Sequence, residues 1–160
     1  MPLLRVASAA LTAAVLSACG EGSGTDPVTE DERDLTGTFG GGFASVGDSA
    51  ALLGYLTLEL TEERSTGALT GGFALEATVD DGAFQQPIAG GGPLIGGVSP
   101  TEIALLYFTA TPDFCPSQPV EFTGTYDRRY GTLLVGGQIH VLDADCAVLL
   151  TFPSTISLTR

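Results

Sequence analysis

The chain has 160 residues and is strongly acidic, with 19 Asp and Glu residues against 6 Arg and Lys residues and a formal net charge of −13. It contains no lysine. A surface of this sign repels polyanions, which argues against nucleic acid as a partner and favours solubility or attraction to cations and basic proteins.

The first residues have the plan of a secretory signal peptide. Arg5 and the amino terminus supply positive charge, Val6 to Leu16 form an apolar stretch without charge, and small residues then lead to Cys19. The apolar stretch is too short for a transmembrane helix, which takes about 20 apolar residues. The segment therefore predicts export.

The tetrad Leu16-Ser17-Ala18-Cys19 resembles the lipobox of bacterial lipoproteins. The resemblance implies cleavage between Ala18 and Cys19, and lipidation of Cys19 by a thioether-linked diacylglycerol and an amide-linked acyl chain. Several acyl chains hold a protein stably on a membrane surface, whereas a single chain holds it only marginally. The protein would then be anchored by lipid in the cell envelope, on its periplasmic or cell-surface face. The alternative is an ordinary signal peptide cut near Ala18, with Cys19 unmodified.

Residues 19–34 are predicted to be the lipidated cysteine followed by a flexible acidic tether. From Gly20 to Asp34 the chain consists largely of Gly, Ser, Thr, Pro and acidic residues, with Val28 as the single aliphatic residue. Such a segment buries too little apolar surface to offset the entropy of ordering it, and its like charges extend it. The alternative is an acidic arm that docks a cation or a basic partner.

From Leu35 to Arg160 the hydrophobic residues recur with a period of two, which predicts strands. Residues 56–61, for example, alternate leucine with polar side chains, and no longer window carries a helical stripe. We expect a single all-β domain of about eight antiparallel strands, either an up-and-down small barrel of lipocalin-like shape or a sandwich. The predicted strands cover residues 35–46, 51–60, 69–79, 83–88, 101–111, 120–127, 132–142 and 146–158.

Several local features are expected within these strands. Residues 62–67 are predicted to form a charged turn, and Gly90-Gly91-Gly92-Pro93 to break the chain. Residues 101–111 are apolar on both sides, so one face is expected in the core and the other covered. Pro153 marks a bulge or an edge strand. The inward-facing side chains are expected to include Phe73, Leu75, Tyr107, Phe122 and Tyr126.

Three segments, 35–39, 69–73 and 122–126, each place a glycine two residues before an aromatic ring. Glycine inside a strand costs stability, so its recurrence indicates sharp coiling or a ring lying over bare backbone. The alternative is close approach of a ligand. We expect the structural use.

The cysteines are consistent with export. With Cys19 carrying lipid, Cys115 and Cys146 remain as an even pair in a compartment that permits oxidation. We predict a disulfide that joins a proline-rich loop to the last hairpin. A metal pair or a reactive thiol are the alternatives, but two cysteines without clustered histidines are poor zinc ligands.

His140 is the only histidine and lies on a predicted strand, on the same face as Gln138 and Leu142. The chain has no G-x-S-x-G elbow, no H-E-x-x-H helix and no P-loop. Nothing in the sequence places a nucleophilic serine near His140. An ordinary strand histidine is the expectation, with a general base as the alternative.

Two acidic pairs, Asp80 with Asp81 and Asp143 with Asp145, lie at predicted turns, where aspartate side chains cap backbone donors. Calcium takes roughly six or more oxygen ligands, and each short turn supplies two carboxylates. We therefore expect no metal site, no catalytic residues and no cofactor.

Two classes of function follow. The first is a non-enzymatic lipoprotein, held by membrane lipid through Cys19, that binds a small apolar ligand or a protein of the envelope. Its shape would be similar to lipocalin-like and other small-barrel lipoproteins. A special case resembles the small β-barrel lipoproteins that inhibit lysozyme, because an acidic surface suits a basic target. The second class is an envelope hydrolase that uses His140 or the aspartate pairs.

Overall fold

The computed structural model describes residues 34–160. The predicted signal peptide, the lipidation at Cys19, the cleavage after Ala18 and all of the predicted tether except Asp34 lie outside the described residues. Within residues 34–160 no helix is long and apolar enough to span a membrane. The strands are β1 Gly37–Val46, β2 Ala51–Glu63, β3 Ala68–Asp80, β4 Gln85–Val98, β5 Ile103–Ala110, β6 Val120–Asp127, β7 Thr132–Leu142 and β8 Val148–Leu158.

Each strand pairs antiparallel with the next along the chain, in the order β1 to β8. The last strand returns to the first, and Gly40 and Thr159 exchange backbone hydrogen bonds of 2.9 and 3.1 Å between their N and O atoms. The result is one nearly closed barrel, which confirms the all-β meander and decides between a barrel and a sandwich. Pro153 lies in β8, the strand at the end of the sheet order, and pairs with Gln138.

The period of two places one face of every strand in the barrel interior. In β5, Ala104, Leu106 and Phe108 are buried. Ile103 is 61 % exposed and Tyr107 is 65 % exposed on the outer face, so the expectations that this face is covered and that Tyr107 faces the core are wrong. Among the described residues no second layer packs on this face. The Tyr107 ring lies instead against the bare backbone of Gly97 in the neighbouring strand.

The glycine run 90–92 does not interrupt the strand, contrary to the prediction. β4 continues through it, and Gly90, Gly91 and Gly92 pair with Leu75, Ala74 and Phe73 of β3. A Cβ atom at Gly92 would collide with the Thr111 carbonyl, so the run lets the following loop approach the strand. Residues 85–88 of the predicted short strand 83–88 are therefore the first part of a strand of 14 residues, and residues 83 and 84 precede it.

The predicted turn 62–67 also begins later than expected. β2 extends to Glu63, and the turn is closed by hydrogen bonds from the N–H groups of Thr66 and Gly67 to the Glu63 carbonyl at 3.1 and 2.8 Å. Glu62 thus belongs to the strand. It lies on the same inward face as Leu58 and Leu60 and is buried.

Two of the three recurrent glycines, Gly71 and Gly124, have a structural use. A Cβ atom at Gly71 would collide with the Glu59 carbonyl, and one at Gly124 would collide with the Leu134 carbonyl. Both positions therefore permit close approach of neighbouring backbones. Aromatic rings lie over bare backbone elsewhere in the barrel, for example Phe122 over Gly137.

Candidate functional site

The strand order gives the barrel two ends, which we name the closed end and the open end. The closed end carries the β2–β3, β4–β5 and β6–β7 loops together with Asp34 and Arg160. The open end carries the β1–β2, β3–β4, β5–β6 and β7–β8 loops. The two ends differ in how the interior is filled.

An ion pair between Glu62 and Arg128 lies at the closed end. Their side chains are only 3 % and 12 % exposed, and the pair is bidentate, with Arg128 Nη2 2.7 Å from Glu62 Oε1 and Arg128 Nη1 3.0 Å from Glu62 Oε2. The Leu35 N–H also donates to Glu62 Oε2, at 2.8 Å. Arg128 donates further to the carbonyls of Ser99 and Thr101. The pair therefore joins four segments of chain.

The pKa values of both groups reflect this arrangement. Burial on its own would raise the pKa of Glu62, but hydrogen bonds from Arg128 and from the Leu35 N–H, with the charge of Arg128, leave it below its ordinary value. The hydrogen bond to Glu62 raises the pKa of Arg128, against the opposing effect of burial. Both groups are consequently charged at neutral pH.

Aromatic packing fills the rest of the closed end. Leu35, Phe39 and Tyr126 are completely buried. The rings of Phe39 and Tyr126 meet edge to face, with centroids 5.8 Å apart, and the Arg160 guanidinium lies 5.2 Å from the Phe39 centroid. The Tyr126 hydroxyl donates to the Asp34 carbonyl at 3.3 Å, and burial raises the pKa of this phenol. These described side chains therefore pack closely in the closed end.

The half of the barrel nearer the open end contains an apolar cavity of about 270 Å³ that is partly open to solvent. Inward-facing side chains of β2, β3, β5 and β6 form part of its wall. Phe108 and Phe122 stack there, with ring centroids 5.3 Å apart. The residues that line the cavity include Leu56, Leu58, Phe73, Leu75, Ile88, Ala110, Pro112, Phe114, Val120, Ile139 and Val141.

The β5–β6 loop, residues 111–119, forms one side of the cavity entrance. Its first residues continue along β4, where the N–H groups of Thr111 and Asp113 each donate at 2.9 Å, to the carbonyls of Pro93 and Gly91. Phe114 follows; it lines the cavity and is nevertheless 57 % exposed. A ring in that position can contact both a bound molecule and water.

The predicted cysteine pair meets at the same end. Cys115 and Cys146 lie at disulfide-bonding distance, with their Cα atoms 5.6 Å apart. Cys115 is buried in the β5–β6 loop, and Cys146 lies in the β7–β8 loop. The bridge therefore links the loop that carries Phe114 to the last hairpin, as the sequence predicts.

His140 lies on β7 near the open end. Its Nδ1 atom is 3.0 Å from the Thr151 hydroxyl of β8, its pairing partner. No hydrogen bond or ion pair of the described chain joins His140 to a carboxylate. This arrangement provides no acid to orient the imidazole as a general base.

Three of the four paired aspartates, Asp80, Asp81 and Asp143, cap their turns. Asp80 accepts from the Gly82 N–H at 2.8 Å, and Asp143 accepts from the N–H groups of Asp145 and Ala147, both at 2.9 Å. The hydrogen bonds that Asp81 accepts from the backbone N–H groups of Phe84 and Ala83 lower its pKa. Across residues 34–160 no group of three or more His, Cys, Asp or Glu side chains is placed to hold a metal ion.

Neither the buried ion pair nor the position of the cavity was predicted from the sequence. The alternation of β2 could have predicted that Glu62 faces inward, because Glu62 continues the series of alternate inward-facing leucines. Arg128 offers no comparable signal, since it lies in a loop. No protein-family model, curated protein or solved structure was found to match the chain. The chemistry of the cavity is therefore the basis for a proposed function.

Proposed function

We propose that the protein is an exported lipoprotein, anchored in the cell envelope through Cys19, whose barrel binds a small apolar ligand and catalyses no reaction. The apolar cavity near the open end is the observation that carries the binding role. The lipobox-like tetrad at residues 16–19 supports the anchor.

The size and lining of the cavity suit a small hydrophobic molecule. A dry cavity of about 150 Å³ lined by Leu, Ile and Phe is enough to bind benzene. The cavity here has about 270 Å³ and a comparable aliphatic and aromatic lining, so it accommodates a longer apolar group. Each Å² of apolar surface that a ligand transfers from water contributes about 25 cal/mol.

The geometry also relates the cavity to the proposed anchor. Asp34, the first described residue, lies at the closed end, where its carboxylate is 3.5 Å from Arg64 Nε and its carbonyl accepts from Tyr126. The tether would join the barrel there. The cavity opens near the opposite end of the barrel, so the anchored protein would present its entrance away from the point of attachment.

Filling the cavity tests the binding role. We expect Leu75→Trp to weaken binding of a neutral fluorescent probe, N-phenyl-1-naphthylamine, by about tenfold or more, because a loss of about 1.4 kcal/mol changes affinity by that factor. Leu75 lies on the inner face and lines the cavity. The measurement is a fluorescence titration.

Leu53→Trp is the matched control, because Leu53 lies on the outer face of β2 and is exposed. It adds the same indole without entering the barrel and should leave the probe affinity unchanged. Equal affinities in the wild type and both variants, or no probe binding to the wild type, would refute a lumenal site.

The anchor is tested by Cys19→Ala. We expect the variant to leave the membrane fraction for the soluble fraction, since the acyl chains that hold the protein would be absent. Ser23→Ala, in the predicted tether, is the control and should remain with membranes. A Cys19→Ala protein that still sediments with membranes would show that another feature attaches it.

A further inference from the structure

The positive charges of the described chain are all at one end of the barrel. Arg64 lies in the β2–β3 loop, Arg128 and Arg129 lie in the β6–β7 loop, and Arg160 follows β8. Each of these positions belongs to the closed end. Residues 34–160 contain no other arginine and no lysine, so the cavity entrance has no basic side chain of either type nearby.

The open end, in contrast, has several carboxylates and no arginine or lysine among its described residues. Three of these acids adjoin residues that line the cavity: Asp113 precedes Phe114, Glu121 follows Val120, and Asp143 follows Leu142. The acidic residues in or beside the four loops of this end are Asp48, Asp80, Asp81, Asp113, Glu121, Asp143 and Asp145.

None of these carboxylates forms an ion pair within the described chain. Those of Asp80, Asp81 and Asp143 accept hydrogen bonds from backbone N–H groups of their own turns. Asp113, Glu121 and Asp145 are exposed. Like charges gathered around an apolar recess focus a negative potential at its entrance. The single histidine, His140, is the only group of the described chain near this end that could add a positive charge.

We propose that the ligand is a cationic amphiphile, an apolar chain or ring system that carries an ammonium group. The inference rests on the proposed lumenal binding role. The apolar body enters the cavity, whose lining residues include no carboxylate that could pair with a buried ammonium group. The ammonium group remains at the acidic entrance in water, where the carboxylates attract it. The same carboxylates repel a fatty acid or another anionic amphiphile.

A series of ligands with one chain length and three head groups tests this selectivity. Dodecylammonium, dodecanol and dodecanoate compete with N-phenyl-1-naphthylamine for the full-length protein at pH 8. In about 10 mM salt, where the Debye length is about 30 Å, we expect dodecylammonium to bind about tenfold more tightly than dodecanoate, with dodecanol between them. In about 1 M salt the Debye length falls to about 3 Å, and the three affinities should converge.

The responsible charges are tested by the variant Asp113→Asn/Asp145→Asn. Neither side chain accepts a hydrogen bond from another described residue, so neutralising them leaves the turns intact. We expect its affinity for dodecylammonium to fall about threefold at low salt, with little change for dodecanol. The matched control, Glu63→Gln/Glu102→Gln, removes two charges at the closed end and should bind all three ligands as the wild type does.

The outcomes separate this inference from the proposed function. Binding of the neutral probe with equal affinity for the three head groups, or with dodecanoate preferred, would overturn the cationic selectivity and leave the lumenal site standing. An equal effect of both double variants would overturn the role of the entrance carboxylates. Failure of the neutral probe to bind at all would overturn the lumenal site itself, and the selectivity with it.

Discussion

Replacing Arg128 with methionine is expected to lower the free energy of unfolding by about 3 to 5 kcal/mol, the usual cost of removing one partner of a buried ion pair. Glu62 would keep its hydrogen bond from the Leu35 N–H but lose its bidentate partner while only 3 % exposed. The carbonyls of Ser99 and Thr101 would each lose a donor as well. Urea denaturation at pH 7 measures the change.

The same variant should respond to pH differently from the wild type. Since the pKa of Glu62 is lowered in the fold, its ionised form stabilises the wild type above the unfolded-state pKa, and this contribution is lost as the pH falls through the folded pKa. Without Arg128, burial disfavours the ionised form, and protonation relieves the cost. The destabilisation by Arg128→Met should therefore be largest near pH 7 and shrink towards about pH 4, close to the ordinary pKa of Glu.

The double variant Glu62→Gln/Arg128→Met is the control for this interpretation. It leaves a neutral acceptor for the Leu35 N–H and no unpaired charge, so it should be clearly more stable than Arg128→Met alone. A cost below about 1 kcal/mol for Arg128→Met, the range typical of exposed pairs, would show that the two groups are not a buried pair in solution.

Most of the fold could be predicted because its determinants are local. Alternation of apolar and polar residues defines a strand and its inward face without knowledge of any partner. Short polar loops then favour pairing of consecutive strands, which is the observed order. Predictions from local sequence were wrong where a neighbouring strand determines the conformation. The glycines at 90–92 predicted an interruption, but β4 continues through them because pairing with β3 holds this otherwise flexible run in extended form.

The apolar outer face of β5 shows a different limit. Ile103, Leu105 and Tyr107 alternate with Ala104, Leu106 and Phe108, and hydrophobicity alone does not say which set faces inward. Tyr107 lies outside, where register places it opposite Gly97, whose missing side chain leaves room for the ring against the sheet. That register is a property of two strands, not of one segment.

The candidate site was less accessible to sequence reasoning. Its lining comes from several strands and the β5–β6 loop, so the cavity exists only through the register and closure of the sheet. Glu62 and Arg128 are separated by 66 residues and meet for the same reason. The cysteine pair is the exception, because two remaining cysteines in an exported chain leave a single pairing.

Loss of that cysteine pair is the second large effect that we expect. The variant Cys115→Ser/Cys146→Ser should unfold with a free energy about 3 to 4 kcal/mol lower than that of the oxidised protein, from the entropy of closing the loop between cysteines that are 31 residues apart in sequence. The comparison uses a chain with Cys19→Ser as its background, so that Cys115 and Cys146 are the only cysteines. Guanidinium denaturation without reductant gives both free energies.

Reduction of the parent chain provides the matched control. Dithiothreitol should lower the free energy of unfolding of the Cys19→Ser protein to near that of Cys19→Ser/Cys115→Ser/Cys146→Ser, the triple variant. The free energy of unfolding of the triple variant should not change. Since backbone hydrogen bonds from Thr111 and Asp113 hold the start of the β5–β6 loop on β4 independently of the bridge, the barrel should still fold after reduction. An oxidised parent that dithiothreitol does not destabilise would show that the bridge contributes little to the fold. A parent that is insensitive to dithiothreitol and in which thiol-labelling reagents find two free thiols would show that the cysteines are unpaired.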